Sequence, residues 1–463
     1  LLACVCCFSK LSCPWILPDG QCVPADVVDP SGGGQSHKLS VLSEHGLTTG
    51  HGAHRVQMDV PRRLEDAREG LNIRSWLSVY QRDRLSHLAL DPGTLLRPLP
   101  LGGVNWLDLE RVEDRYLLAA SSDASVLLYD TQGQEEEAAG QVPPGQGPAL
   151  PGLAPLLSLT KASPGGHRFS VSSAAWYPLD NGLFVTGGYD CQVKVWDANT
   201  PALADSFSLD SRVHCLALSA VPGAHCLTAA GCEDPAIQLC DLASGARLHS
   251  LAGHRAPVLA LAWSPAAAWQ LLSGAADGSL RVWDVRRAGA SLAVLDLEST
   301  GPEGALPAAA ARSAAPDPAA PAAARGARAH RGAVTSLALT RDGLRVVSAG
   351  ADDAVRAWDG ASFRNTLVNF AGAFNRARRP RQLALARDPD ALFLPSGSAV
   401  LGYDLRSGAA LCTLRGGHHE AVHACVWSEA GGGTLYTGGA DRLVLTWRPR
   451  AGRGEDEEDA WSE

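Results

Sequence analysis

Short apolar stretches with residues alternating in and out recur along this chain. Each closes on an aromatic residue or a stand-in, usually followed by Asp: VLLYD, VKVWD, IQLCD, LRVWD, VRAWD, VLGYD and VLTWR. Period-two alternation over five or six residues, bounded by Gly, Asn and Asp, predicts half-buried β-strands. The anchors are Tyr129, Trp196, Cys240, Trp283, Trp358, Tyr403 and Trp447, and four of the six intervals between them lie between 43 and 45 residues. A repeat of that length predicts one four-stranded propeller blade per anchor. The two long intervals hold biased inserts, QGQEEEAAGQVPPGQGPALPG at 132–152 and an Ala/Pro-rich run at 299–328. Prolines break the alanine runs of the second, so both inserts are expected to be disordered loops.

The expected fold is therefore all-β, a seven-bladed propeller spanning 85–449. After most anchors an outer strand follows: LADSFSL (203–209), RLHSL (247–251), SLAVLDL (291–297), TLVNF (366–370) and ALCTL (410–414). After Trp447 the chain turns into RPRAGRGEDEEDAWSE, which offers no strand. Blade seven then needs a donor, and LSHLALD at 85–91 is the expected N-terminal closing strand, since closure removes an exposed edge. Residues 1–61 read as a low-information, disordered extension, 62–84 as a helical arm and 450–463 as an acidic tail. Within RRLEDAREGLNIRSWLSVYQRDRL (62–85), Gly70 and Asn72 suggest a loop between two short helices.

Composition narrows the function classes. A formal net charge of −9 argues against a broad nucleic-acid surface, and no apolar run is long enough to span a membrane. The start LLACVCCFSK lacks a basic n-region and a small-residue cleavage site, so no secretory leader is expected. Five of the twelve cysteines fall in the first 22 residues and the other seven are scattered with no C-x-x-C pair among them, so neither a metal nor a cofactor is expected.

Four repeats share a second signature: His167–Thr186–Asp190–Trp196, His254–Ser273–Asp277–Trp283, His330–Ser348–Asp352–Trp358 and His418–Thr437–Asp441–Trp447. Hydroxyl to Asp is always four residues and Asp to Trp always six. Ser273, His254 and Asp277 have the residue types of a catalytic triad. A set repeated four times in register is structural instead, because a triad is a single site with an exposed nucleophile and an oxyanion hole. This spacing resembles WD-repeat proteins, in which the four side chains form a hydrogen-bonded chain within a blade.

Trp283-Asp284-Val285-Arg286 resembles the docking box of WD-repeat substrate receptors for cullin-4 RING ubiquitin ligases. The resemblance implies that Arg286 faces the adaptor, damaged-DNA-binding protein 1. Tyr403-Asp404-Leu405-Arg406 is a weaker second copy. The phrases QLCDLASG (238–245), GHRAPVLALAWSP (253–265), VWDVRRA (282–288), NTLVNF (365–370) and EDAWS (458–462) are similar to the Cockayne syndrome group A family within that class. What this resemblance implies is a nuclear, non-enzymatic substrate receptor in transcription-coupled nucleotide excision repair. Its partners would be the adaptor, cullin-4 with its RING subunit, the Cockayne syndrome group B ATPase and stalled RNA polymerase II. The two inserts and residues 1–60 depart from that family, and 62–84 is the only candidate for its adaptor-binding arm. The alternative is a WD-repeat scaffold in another nuclear assembly, in chromatin reading or RNA processing. Arg376, Arg378, Arg379 and Arg381 form a basic cluster, and Trp461 sits alone in the acidic tail. A solvated loop or an acidic or phosphate-bearing partner would suit the first, and a partner anchor or plain coil the second.

Overall fold

The computed structural model describes residues 73–91, 95–96, 100–133, 152–219, 221, 224–287, 291–297, 306–307, 328–387 and 390–450. The expected extension at 1–61, most of both inserts and the acidic tail with Trp461 lie outside the described residues.

Seven antiparallel sheets make a seven-bladed β-propeller. Blade one runs Val104–Leu109, Tyr116–Ser121, Val126–Asp130 and Pro155–Leu159; blade four runs Val258–Trp263, Gln270–Ala275, Leu280–Asp284 and Ser291–Leu295. The first strands of successive blades touch one another around the ring, blade seven returning to blade one. The third strand of each blade carries the anchor residue. Trp196, Trp283, Trp358, Tyr129 and Tyr403 are fully buried. Each cluster of core side chains is shared between neighbouring blades, as where Leu272, Leu280 and Val282 of blade four meet Val334, Val346 and Trp358 of blade five. Alternation places one residue face of each sheet into each interface, which is why the pattern is legible along the chain.

Closure comes from the N-terminal side. Leu88–Leu90 pairs antiparallel with Val444–Pro449, in the register Leu88↔Pro449, Ala89↔Arg448 and Leu90↔Trp447. The Asp91 N–H donates to Thr446 O at 2.9 Å and the Arg450 N–H to His87 O at 3.1 Å. The closing strand is shorter than the expected 85–91, because Leu85 and Ser86 finish the helix Ile73–Ser86. That helix is continuous from Ile73, and Leu85 is buried against Leu88, Leu414 and Trp447.

Two further expectations need correction. TLVNF does not form an outer strand, and blade five has three strands: Val334–Leu339, Arg345–Gly350 and Ala354–Asp359. Phe363 and Leu367 take left-handed backbone (φ 55° and 57°), which breaks the strand alternation, and only an isolated bridge joins Trp358 to Asn365. Phe370 instead packs edge-to-face on Tyr403 of blade six at 5.7 Å, within the core cluster shared by blades five and six. Within the Ala/Pro insert, Leu306–Pro307 pairs with Ala293–Val294 as a fifth strand of blade four. Proline is tolerated there because the strand is at the edge.

Antiparallel order fixes the two faces of the ring. The third strand of each blade ends on the face where the first strand ends. The start of the first strand and the turn after the second lie on the other.

Candidate functional site

The repeated side chains meet as chains of hydrogen bonds. In blade two the Trp196 indole N–H donates to Thr186 Oγ1 (2.8 Å), the Thr186 hydroxyl to His167 Nε2 (2.7 Å) and His167 Nδ1–H to Asp190 (2.9 Å). Blade five repeats this through Trp358, Ser348, His330 and Asp352 at 2.9, 2.8 and 2.9 Å. Blade seven does so through Trp447, Thr437, His418 and Asp441 at 2.9, 2.8 and 2.9 Å. Every donor points toward the carboxylate, an order that requires neutral imidazoles. Burial pushes His254, His330 and His418 below the ordinary imidazole range.

Blade four is built differently. Trp283 and His254 both meet Ser273 Oγ, at 2.7 and 2.6 Å, but His254 Nδ1 stands 3.8 Å from Asp277. The Ser279 hydroxyl bridges them, accepting from His254 at 2.8 Å and donating to Asp277 at 2.6 Å. The cause lies two residues before the Asp. Blades two, five and seven have Gly188, Gly350 and Gly439 there, and blade four has Ala275. A Cβ on Gly188 would come within 2.7 Å of Asp190 and 2.8 Å of His167; on Gly439 it would come within 2.6 Å of Asp441 and 2.8 Å of His418. A methyl group therefore occupies the space of a direct His–Asp contact, and a serine restores the link. Sequence reading missed Ser279, although Gln192, Ala354 and Leu443 hold the same position in the other three blades. Ser273 is fully buried, with its hydroxyl engaged on both sides, so it meets no substrate.

On the face where the third strands end, Arg286 forks onto its own box aspartate. Its Nε donates to Asp284 Oδ1 at 3.0 Å and its Nη2 to Asp284 Oδ2 at 2.9 Å. The guanidinium also lies 6.0 Å from the Trp269 ring centroid. The Arg286 hydrogen bond holds the Asp284 carboxyl below the usual carboxylate range. Two of five N–H donors are used in the fork, and three remain for a partner. The Arg286 side chain is 61% exposed, whereas Asp284 and Trp283 are buried.

The second box is assembled otherwise. Asp404 is taken by Arg82 of the helix at 2.7 Å, and Arg406 Nε donates to Asp390 at 2.9 Å. Arg84 Nη2 donates to Gly432 O at 2.6 Å, in the turn between the first two strands of blade seven. The end of the helix is thus planted on the face that carries Arg286.

Three segments match the model of the WD domain, G-beta repeat: 158–197, 245–284 and 325–359. The WD repeat-containing protein ATCSA-1 of Arabidopsis thaliana is 34% identical over 403 residues, covering 77% of this chain and 87% of that one. This chain belongs to the WD-repeat family that includes ATCSA-1. A ribosome biogenesis protein WDR12 homolog of Chlamydomonas reinhardtii is 38% identical over 126 residues, 26% of this chain and 28% of its own. A ribosome biogenesis protein ytm1 of Aspergillus niger is 30% identical over 200 residues, 40% of this chain and 39% of its own. These matches overturn the narrower expectation that the chain can be assigned to the Cockayne syndrome group A protein. Relatives of another process share enough of the chain that the likeness does not single out that member. Among the described residues, no helix is long and apolar enough to cross a membrane.

Proposed function

We propose that this WD-repeat scaffold is a non-enzymatic substrate-recognition subunit of a cullin-4 RING ubiquitin ligase, docked on damaged-DNA-binding protein 1 through the face bearing Arg286. The observation that carries this reading is the Asp284–Arg286 fork. It holds an exposed planar cation in one orientation at the end of a well-packed blade, so little side-chain entropy is lost on docking. A guanidinium with open donors suits carbonyls and carboxylates of a partner. The helix Ile73–Ser86, anchored on the same face by Arg82 and Arg84, supplies a second element for such an interface. As the resemblance in the box and tail phrases implies, the setting is the nucleus, with stalled RNA polymerase II and the Cockayne syndrome group B ATPase as the assembly served.

The test is Arg286→Glu in cells. A carboxylate there faces the partner's acceptors, and losing a desolvated charged contact costs about 2–5 kcal/mol, more than tenfold in affinity. The variant should melt like the parent and lose copurifying adaptor and cullin. Adaptor capture at the parent level overturns the docking role.

A second reading is a scaffold in ribosome assembly, favoured by the likeness to the WDR12 and ytm1 relatives. It predicts co-sedimentation with pre-ribosomal particles, unaffected by Arg286→Glu.

A further inference from the structure

The first strands of the seven blades surround a channel along the ring axis. At its mouth, on the face opposite Arg286, opens a cavity of about 270 Å³. Asn105, Ser172, His423 and Tyr189 line it from blades one, two and seven, and the segment 377–381 lines it from the entry to blade six. The structure divides the arginine cluster seen in the sequence. Arg376 turns away to Asp353, 3.2 Å from its carboxylate. Arg378, Arg379 and Arg381 border the cavity.

These three cations meet without compensation. Among the described residues no carboxylate lies within ion-pair distance of any of them. The nearby Glu233 is engaged by His214 at 3.2 Å. Nη1 of Arg381 is buried and has no hydrogen-bond partner. Burial alone pulls the Arg381 guanidinium down to about 10. A buried, unpaired donor on a cation is costly, and folds keep such a group where a ligand completes it. His423 reports the local field independently. Its imidazole is pushed down to about 4, first by burial and then by the positive charges of Arg381 and Arg379. Its Nδ1–H donates to Val104 O at 3.1 Å, so the ring adds no charge to the mouth.

The missing group is an anion, and the shape of the site selects among anions. A nucleic-acid backbone is met by cations strung along a surface. Here three arginines border one half-open recess in a protein of net charge −9. A compact dianion with several acceptor oxygens fits that arrangement. We infer that the channel mouth binds a phosphorylated side chain presented by a peptide segment of a partner protein. This site is separate from the Arg286 face, and its test does not depend on adaptor docking.

The experiment uses the full chain and a fluorescent, degenerate short-peptide pool with a fixed central phosphoserine. Controls are the same pool with serine or glutamate at that place, and a labelled single-stranded oligothymidylate. Fluorescence anisotropy should show the phosphoserine pool binding about tenfold or more tighter than either peptide control. Inorganic phosphate should compete with it. Arg379→Gln, at an exposed side chain that the fold does not use, should weaken binding about tenfold. Arg381→Gln should do the same where it remains folded by circular dichroism, and Arg376→Gln should not. Equal binding of the three pools, tighter binding of the oligonucleotide, or indifference to Arg379→Gln would each overturn the proposal.

Discussion

Arg82 of the N-terminal helix lies 2.7 Å from Asp404, the buried aspartate that closes the third strand of blade six. In blade four the equivalent aspartate, Asp284, is held by Arg286, two residues on. One position in the repeat is thus satisfied locally in one blade and by a distant helix in the other. In blade six the local arginine is turned to Asp390, so the two boxes present different surfaces.

Removing Arg82 takes the charged partner from Asp404, which keeps the Arg406 and Ser407 N–H groups. Arg82 is 42% exposed, so solvent screening limits the loss to about 0.5–1 kcal/mol. In Arg82→Ala, amide exchange across Ile73–Ser86 should rise while the blades keep their protection. Unchanged exchange in the helix would show that Leu85 and Arg84 alone hold it.

The fork predicts a graded series at blade four. Asp284→Asn keeps the side-chain shape but loses the charge that aligns Arg286. Adaptor binding should weaken about tenfold, less than for Arg286→Glu. Arg286→Lys should fall between the parent and the reversal, because an ammonium cannot fork. Competition binding of the purified variants checks the order.

Ser279→Ala should lower the urea midpoint by an amount worth roughly 1–3 kcal/mol, since it leaves His254 and Asp277 unlinked inside the blade. Ala275→Gly makes room for direct contact. The double variant should therefore recover part of the loss, a coupling visible in a double-mutant cycle. Additive losses would refute the idea that the Ala275 methyl group holds the pair apart.

Closure is tested by Ala89→Pro. Antiparallel alternation makes the Ala89 N–H the ladder donor to Arg448, between the bonds at Asp91 and His87. Proline removes it, and the cost should be at least about 1 kcal/mol relative to Ala89→Ser. Equal melting of the two would mean that the closing strand contributes little.

Acid should unfold the propeller early. His254, His330, His418 and His423 all have imidazoles depressed in the fold, His423 to about 4. Below the unfolded value of about 6.5 the unfolded chain binds more protons than the folded one, so stability falls as pH falls. Their contribution is fully present above about pH 6.5 and, for His423, is lost down to about pH 4. Asp277 and Asp352 extend the same trend to lower pH. Burial would raise them, but the hydrogen-bond donors facing them, Ser279 on Asp277 and His330 on Asp352, hold them below the carboxylate range. Asn in place of His423 keeps a donor toward Val104 and removes the titration. His423→Asn should flatten the fall between about pH 6.5 and 4, followed by thermal unfolding across a pH series.

The propeller was legible because its determinants are local and repeated. Alternation, the anchor every 43 to 45 residues and the His–hydroxyl–Asp–Trp spacing all follow from one blade's geometry, which the chain writes again at each turn of the ring. Even the closing strand could be located, since a missing outer strand at one end implies a donor at the other. What only the tertiary structure decided are the exceptions to the repeat. Ala275 and Ser279 each look unremarkable alone, and their meaning appears only when the methyl group and the hydroxyl are seen between His254 and Asp277. Left-handed backbone at Phe363 and Leu367 cannot be read from residues that ordinarily favour strands. The partners of Asp404 and Arg376 are groups from other elements of the fold, Arg82 and Asp353, and a contact between separate parts of the chain leaves no spacing in the sequence to find.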